Sequence, residues 1–240
     1  MKTIALGDTH GRLKWKEILE KNKDADKVIF IGDYFDVRNG GVSGARQITI
    51  FKEILALKEA EPEKFILLFG NHDFHYIRNI GEDYSGYQAA LAHDIGEVIH
   101  EAISKELVQM CHLQGEFFFS HAGLTKTWCE RYLDTRTPDL TTLEQSVNDL
   151  FKFQPNSFKF SPNIGENFDM SGDDISQSPI WVRPMSLKRD MVDGIRCVVG
   201  HTQVRQLGLS DEFPELILID CLGFTDEYLV IEDGVAKIGN

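Results

Sequence analysis

Three stretches decide the reading of this chain: Thr3-Ile4-Ala5-Leu6-Gly7-Asp8-Thr9-His10, Val28-Ile29-Phe30-Ile31-Gly32-Asp33, and Phe65-Ile66-Leu67-Leu68-Phe69-Gly70-Asn71-His72-Asp73. Each is an apolar run of strand length that ends in glycine and then a polar side chain. Between them, residues 12–20 carry Leu13, Trp15, Ile18 and Leu19 at helical spacing, and residues 45–59 carry Ile50, Ile54 and Leu57 on one helical face. The order is β-α-β-α-β, which implies parallel strands joined by right-handed crossovers.

Outward from this unit the signals change. Residues 88–107 read as one or two helices, 107–112 and 116–120 as strands about a turn at Gln114-Gly115, and 141–151 as a helix. Residues 154–179 are rich in Asn, Ser, Gly and Asp and read as a long loop or insertion, a class that is usually functional or mobile. Strand signals return at 197–199, 216–219 and 228–231. Parallel strands early and strand-rich sequence late suggest two sheets with helices outside. No repeat and no Pro-, Gly- or Ser-rich linker divides the chain, so residues 1–240 are expected to form one domain.

Composition narrows the function. The 240 residues include 38 acidic and 25 basic side chains, a formal charge of −13, and 42% are hydrophobic, which is globular usage and excludes a disordered chain. The longest unbroken apolar run is residues 65–69, too short to span a membrane. Residues 4–6 are too few for the apolar core of a signal peptide. The four cysteines lie apart without a CxxC pair, as free buried thiols of a cytoplasmic protein would. The acidic balance argues against a general nucleic-acid binder, which needs a basic stripe.

The chemistry sits where the apolar runs end: Asp8-Thr9-His10, Asp33-Tyr34-Phe35-Asp36, Asn71-His72-Asp73, Ser120-His121 and Gly200-His201. Carboxyl ends of neighbouring strands in an open α/β sheet share one crevice, so these clusters are expected to converge. Asp8 and His10, two apart on an extended segment, would face the same side, as two ligands of one ion must. Mixed carboxylate and imidazole donors suit Mn, Fe or Zn better than Mg or Ca. The glycines before them allow a sharp turn and a close approach. One aspartate after a strand commonly caps the next helix; five clusters in order at five strand ends point to a metal site. His93, His100 and His112 lack metal spacing and read as structural or exposed. Asp169, Asp173 and Asp174 read as a solvated acidic loop. His75 and Tyr76 follow the third cluster, either touching substrate or packing.

Gly7-Asp8-Thr9-His10-Gly11, Gly32-Asp33-Tyr34-Phe35-Asp36, Gly70-Asn71-His72-Asp73, His121-Ala122-Gly123 and Gly200-His201-Thr202 resemble the motifs of the calcineurin-like metallophosphoesterases, and within them the phosphoprotein phosphatase branch. That branch includes bacterial and phage Ser/Thr phosphatases and symmetrical dinucleoside tetraphosphatases. The resemblance implies an α/β two-sheet sandwich flanked by helices, with two divalent metal ions between the sheet ends. Carried over by residue, it places Asp8, His10 and Asp33 on the first ion, and Asp33, Asn71, His121 and His201 on the second, Asp33 bridging. Two ions about 3.5–4 Å apart acidify a bridging water to the attacking hydroxide and clamp the phosphoryl oxygens. His72 would protonate the leaving oxygen, with Asp36 orienting the imidazole.

Two departures bear on the branch. Broader relatives end in Gly-His-x-His, whereas position 203 here is Gln, which favours the phosphatase branch. The branch places Arg directly after the second Asp of the second motif, whereas here Val37 intervenes before Arg38. Arg38 and Arg183, the latter in Trp181-Val182-Arg183, are the expected phosphate contacts, together with Asn71. Asp220 lies where relatives carry an aspartate near the site and is not assigned as a ligand. The expected function is a dinuclear phosphatase, with Mn the leading metal and Fe or Zn alternatives. Its substrate would be a phosphorylated small molecule or a phosphoprotein bearing phosphoserine or phosphothreonine. A dinucleoside polyphosphate hydrolase, a phosphodiesterase or nuclease, and a non-catalytic scaffold are the competing readings. Nothing in the motifs speaks to oligomeric state.

Overall fold

A computed structural model describes residues 1–37, 41–160, 171–209 and 212–240. β1 (Lys2–Leu6), β2 (Lys27–Phe30) and β3 (Phe65–Leu67) are parallel, joined by α1 (Lys14–Lys21) and α2 (Gly44–Ala60). After the one-turn helix α3 (Asn71–Phe74) come α4 (Ala92–Ser104), β4 (Cys111–Gln114), β5 (Phe117–Ser120), α5 (Lys126–Leu133), α6 (Leu140–Phe153) and α7 (Pro184–Asp190). The described chain closes with β6 (Arg196–Val199), β7 (Leu216–Leu218), β8 (Tyr228–Glu232) and β9 (Val235–Gly239). One sheet has the order β3-β2-β1-β8-β9, the other β4-β5-β6-β7. The architecture is therefore the expected two-sheet α/β sandwich flanked by helices.

Alternation along the early strands explains why they read as unbroken apolar runs. Ala5, Ile29, Ile31, Ile66 and Leu68 pack against Phe117, Phe119, Val198 and Ile217 of the other sheet. Their neighbours Ile4, Leu6, Val28, Phe30 and Leu67 turn the opposite way, onto Trp15, Ile18, Ile50, Phe51 and Ile54 of α1 and α2. A strand buried on both faces has no polar face to show. Among the described residues, no helix is long and apolar enough to cross a membrane. All four cysteines are buried and unpaired.

Several elements differ from expectation. The strand expected over 107–112 begins only at Cys111, because residues 105–110 leave α4 through a turn and make a single bridge, Gln109 to Leu68. The polar stretch 154–179 holds a short 3-10 turn, Pro155–Phe158, and its residues 161–170 lie outside the described residues. β9 and the helices α3, α5 and α7 come in addition to the expected elements. β1, β2 and β3 run parallel, as do β5 and β6, so their carboxyl ends deliver Asp8, Asp33, Asn71, His121 and His201 to one edge of the sandwich.

Candidate active site

The backbone at these strand ends is unusual before any side chain is considered. His10, Asp33, Asp36 and His201 all have positive φ, between 43° and 61°, a region that L residues enter at a cost and that clusters at functional sites. β1 ends at Leu6, so Asp8 and His10 do not share a side through strand alternation; the left-handed turn at His10 brings them together instead. Asp8 also caps no helix: α1 begins after Leu13 without a side-chain cap, and Asp8 accepts the His201 N–H at 3.1 Å.

The glycines are spacers of necessity. A Cβ on Gly70 would lie 2.1 Å from Asp33 Oδ1, and one on Gly200 would lie 2.0 Å from Asp8 Oδ1. Gly200→Ala is therefore expected to displace the Asp8 carboxylate and to destabilise the protein by about 1–3 kcal/mol. Thermal melting and Mn²⁺ titration of the variant check this; an unchanged metal affinity would mean that Asp8 has room to move and binds nothing.

Two donor sets share Asp33. Oxygen and nitrogen atoms of Asp8, His10 and Asp33 lie within 4.8 Å of one another. Asp33 Oδ2 faces His10 Nε2 at 3.8 Å, while its Oδ1 faces His121 Nε2 at 3.4 Å. His121 Nε2 and His201 Nδ1 each lie 2.9 Å from the Asn71 side-chain oxygen. Partners behind the rings fix which nitrogen looks inward. His10 Nδ1 is 2.6 Å from the Phe35 carbonyl and His121 Nδ1 is 2.9 Å from that of Ile31, so each donates there and turns Nε2 toward Asp33.

Burial, helped at His201 by the Arg183 charge, moves the His10 and His201 rings below the ordinary imidazole range, which leaves their ring nitrogens available to a cation. His121 goes the other way: burial opposes its charge, but Asp33 outweighs burial and raises it. Asp33 mirrors this, carried well below the usual range by His121, His72 and His10 against the pull of burial. A neutral His121 would set its bare Nε2 against an acceptor oxygen of Asn71, a contact that a cation between them makes favourable. The residues present thus fit divalent metal.

A second cluster centres on Asp36, with which the structure brings His72 together. Its Oδ2 lies 3.1 Å from His72 Nδ1 and 2.7 Å from His75 Nε2. Its Oδ1 accepts from Tyr76 Oη at 2.6 Å and Gln88 Nε2 at 2.9 Å, and its backbone N–H donates to Gln47 Oε1. Burial would raise the Asp36 carboxyl, but these donors hold it down at about 2. His75 and Tyr76 are buried, packing around this carboxylate. Sequence reasoning also passed over Asp73, whose oxygens accept the N–H groups of Asp33 and Tyr34 at 2.8 Å and of Gly70 at 2.9 Å. Burial and the nearby Asp33 charge push the Asp73 carboxyl up to about 7 all the same. Its position three residues after Gly70, at the start of a helix, was the available signal.

Both clusters open into a cavity of about 520 Å³ whose wall includes Tyr84, Phe160, Trp181, Arg183, Gln203 and Asp220. Arg183 lines it while its Nη1 donates to the His201 carbonyl and Thr202 Oγ1, both at 3.1 Å, and its Nε to the Ser171 carbonyl at 3.0 Å. Arg38 lies outside the described residues. His93 and His100 are exposed, and His112 pairs with Glu144 Oε1 at 2.9 Å, away from the site. Asp173 accepts the Ser186 N–H and Asp174 the Ser176 N–H, while Asp169 lies outside the described residues.

Asp220 is buried in this wall, and its Oδ1 has no partner among the described residues. Burial and the Asp33 charge push its carboxyl up to about 6. A folded-state pKa raised above the unfolded one stabilises below the unfolded value, and that contribution is lost as pH rises through the folded value. Asp220→Asn is therefore expected to stabilise metal-free protein at pH about 7.5 and to change it little at pH about 4. Melting of chelator-treated protein at the two pH values checks this, and an equal shift at both would show that Asp220 keeps its ordinary titration.

The family model for calcineurin-like phosphoesterase matches residues 1–220. Among solved structures, a protein serine/threonine phosphatase from Saccharomyces cerevisiae with similarity to human phosphatase PP5 superposes with a TM-score of 0.58 at 14% identity, covering 100% of this chain and 79% of that one. That likeness is one of fold. Yfce, a phosphoesterase from E. coli, aligns at a TM-score of 0.38 and 13% identity over 98% of this chain and 91% of its own. No curated protein sequence matches this chain significantly.

Proposed function

This chain belongs to the calcineurin-like phosphoesterase family of metal-dependent phosphoester hydrolases, and from that membership we propose that it is a dinuclear phosphomonoesterase. The observation that carries the reading is the division of Asp33, one carboxylate oxygen facing His10 and the other His121. Asp8, His10 and Asp33 would hold one divalent ion, and Asp33, Asn71, His121 and His201 the other. Divalent ions held there would acidify water and neutralise charge on a phosphoryl group. Nitrogen and oxygen donors together favour Mn, Fe or Zn.

The rest is work for this chain's own side chains. His72 lines the cavity and bonds Asp36 through Nδ1, and its Nε2 would carry a proton toward the leaving oxygen. Asp36, immobilised by four donors, fixes the ring's orientation. Arg183 and Arg38 would bring guanidinium groups to phosphate oxygens, and Lys does not reproduce their planar geometry. Asn71 would serve the phosphate as well as an ion. Phosphorylated small molecules or phosphoproteins are the substrates that suit an acidic chain without a basic stripe, and nucleic acid is disfavoured. Four buried free thiols support a cytoplasmic setting.

A second reading has its own observation. Tyr84, Phe160 and Trp181 place three aromatic rings on the cavity wall, which suits a substrate bearing a nucleobase, such as a dinucleoside polyphosphate. Activity with added Mn²⁺ across phosphopeptides, nitrophenyl mono- and diesters, and dinucleoside polyphosphates tests both. Monoester turnover well above diester turnover is the expected result. Preference for the diester would overturn the proposal, and preference for the polyphosphate would favour the second reading.

A further inference from the structure

We infer that His75 is a positioning residue for leaving-group protonation, holding Asp36 so that Asp36 can aim His72; the inference rests on the reading of His72 as general acid. The hydrogen bonds determine the state of the ring. His75 Nδ1 accepts the Tyr84 backbone N–H at 3.1 Å. A backbone N–H can only donate, so Nδ1 carries no proton and Nε2 carries the ring's one proton. That proton is donated to Asp36 Oδ2 at 2.7 Å, a closer contact than the 3.1 Å to His72 Nδ1 on the same oxygen.

Packing locks the ring in this role. The His75 side chain has no exposed surface. It stacks on Tyr84 with ring centres 5.3 Å apart, and meets Tyr76 and Tyr87 edge to face at 4.4 and 5.1 Å. Asp36 needs such a hold. It sits at a φ of 61° within the connection between β2 and α2, and the oxygen that bonds His72 has His75 as its second partner among the described residues. Without the His75 N–H, that oxygen would keep only His72 among the described residues, and the carboxylate could swing about the bonds from Tyr76 and Gln88 to its other oxygen. Asp36, His72 and His75 could also reach a single cation, but the Tyr84 and Asp36 bonds already occupy both His75 nitrogens.

The experiment uses Mn²⁺-loaded enzyme and two substrates, phosphoserine, whose alkoxide leaves poorly, and nitrophenyl phosphate, whose leaving group needs no proton. H75F keeps a flat ring and loses the donor. It is expected to lower kcat on phosphoserine by about 10–100-fold, the usual effect of losing such an outer partner, with KM and the nitrophenyl rate little changed. H75Q, whose amide nitrogen can take the place of Nε2, is expected to restore most of the loss. H75N, whose amide cannot reach Asp36, is not, and this pair decides the matter should H75F fail to fold.

Equal losses on both substrates, no rescue by Gln, or loss of bound metal from the His75 variants would overturn the inference. H72N is measured alongside. If H72N discriminates between the substrates and H75F does not, His75 has no part in positioning while His72 keeps its role. If H72N itself fails to discriminate, the general-acid reading falls, and the His75 inference with it.

Discussion

Asp33→Asn is expected to abolish hydrolysis and to release bound metal. Asn preserves the volume of the side chain, which matters because Gly70 packs against it so closely that even a Cβ would collide. It removes the charge on a carboxylate whose two oxygens face His10 and His121 separately. Losing a single preorganised donor to a reacting centre typically costs about 10²–10³-fold in kcat. A ligand shared by two ions, as proposed for Asp33, would support more of the site than that, so the loss should exceed this range. Metal analysis and turnover of nitrophenyl phosphate give the two readouts, with far-UV circular dichroism as the control for folding. A variant that keeps both ions and more than about a hundredth of the activity would show that Asp33 is a structural carboxylate, not a bridge.

His72→Asn should separate substrates by leaving group. His72 is adjacent to Asn71, yet its Nδ1 is turned to Asp36 while the Asn71 oxygen meets His121 and His201. The two neighbours thus serve different centres. General acid catalysis by a positioned side chain contributes about 10²–10⁴-fold, and the loss on phosphoserine should fall in that range. Nitrophenyl phosphate, whose anion departs without help, should lose clearly less. Metal content should not change. Asp36→Asn should follow the same pattern more weakly, because it disturbs the ring's orientation and leaves the acid itself in place. Equal losses on the two substrates, or a missing ion in His72→Asn, would assign His72 to metal binding or to substrate placement and send the search for the proton elsewhere.

Much of the site was legible because its signals are local. A strand buried on both faces must be apolar throughout, so residues 28–31 and 65–69 stand out from any one-sided pattern. The glycine that ends each run stands directly before a polar residue and is visible for that reason, although the contact that requires it comes from another strand end, Asp33 at Gly70 and Asp8 at Gly200. Local signals were also overlooked. Asp233-Gly234 is a two-residue turn with φ of 51° and 80°, the chemistry of a tight hairpin between β8 and β9. Thr125 caps α5 by accepting the Trp128 N–H, and Pro184 opens α7, both readable N-terminal signals.

By itself, then, the sequence determined the opening β-α-β-α-β order and the identity of the polar groups gathered at the strand ends, because chain periodicity and turn chemistry act over a few residues. Its motifs carried the resemblance that implied the sandwich class. The tertiary structure alone decided which atoms of those groups meet. His201 reaches Asp8 across 193 positions, a pairing that depends on the second sheet closing over the first, and Gln88 reaches Asp36 across 52. His75, read from the sequence as either substrate contact or packing, becomes the buried partner of Asp36 through packing with Tyr76, Tyr84 and Tyr87. A one-turn helix after β3 and the left-handed turn at Asp36 aim the two side chains at each other, and neither orientation is set until the surrounding rings are packed.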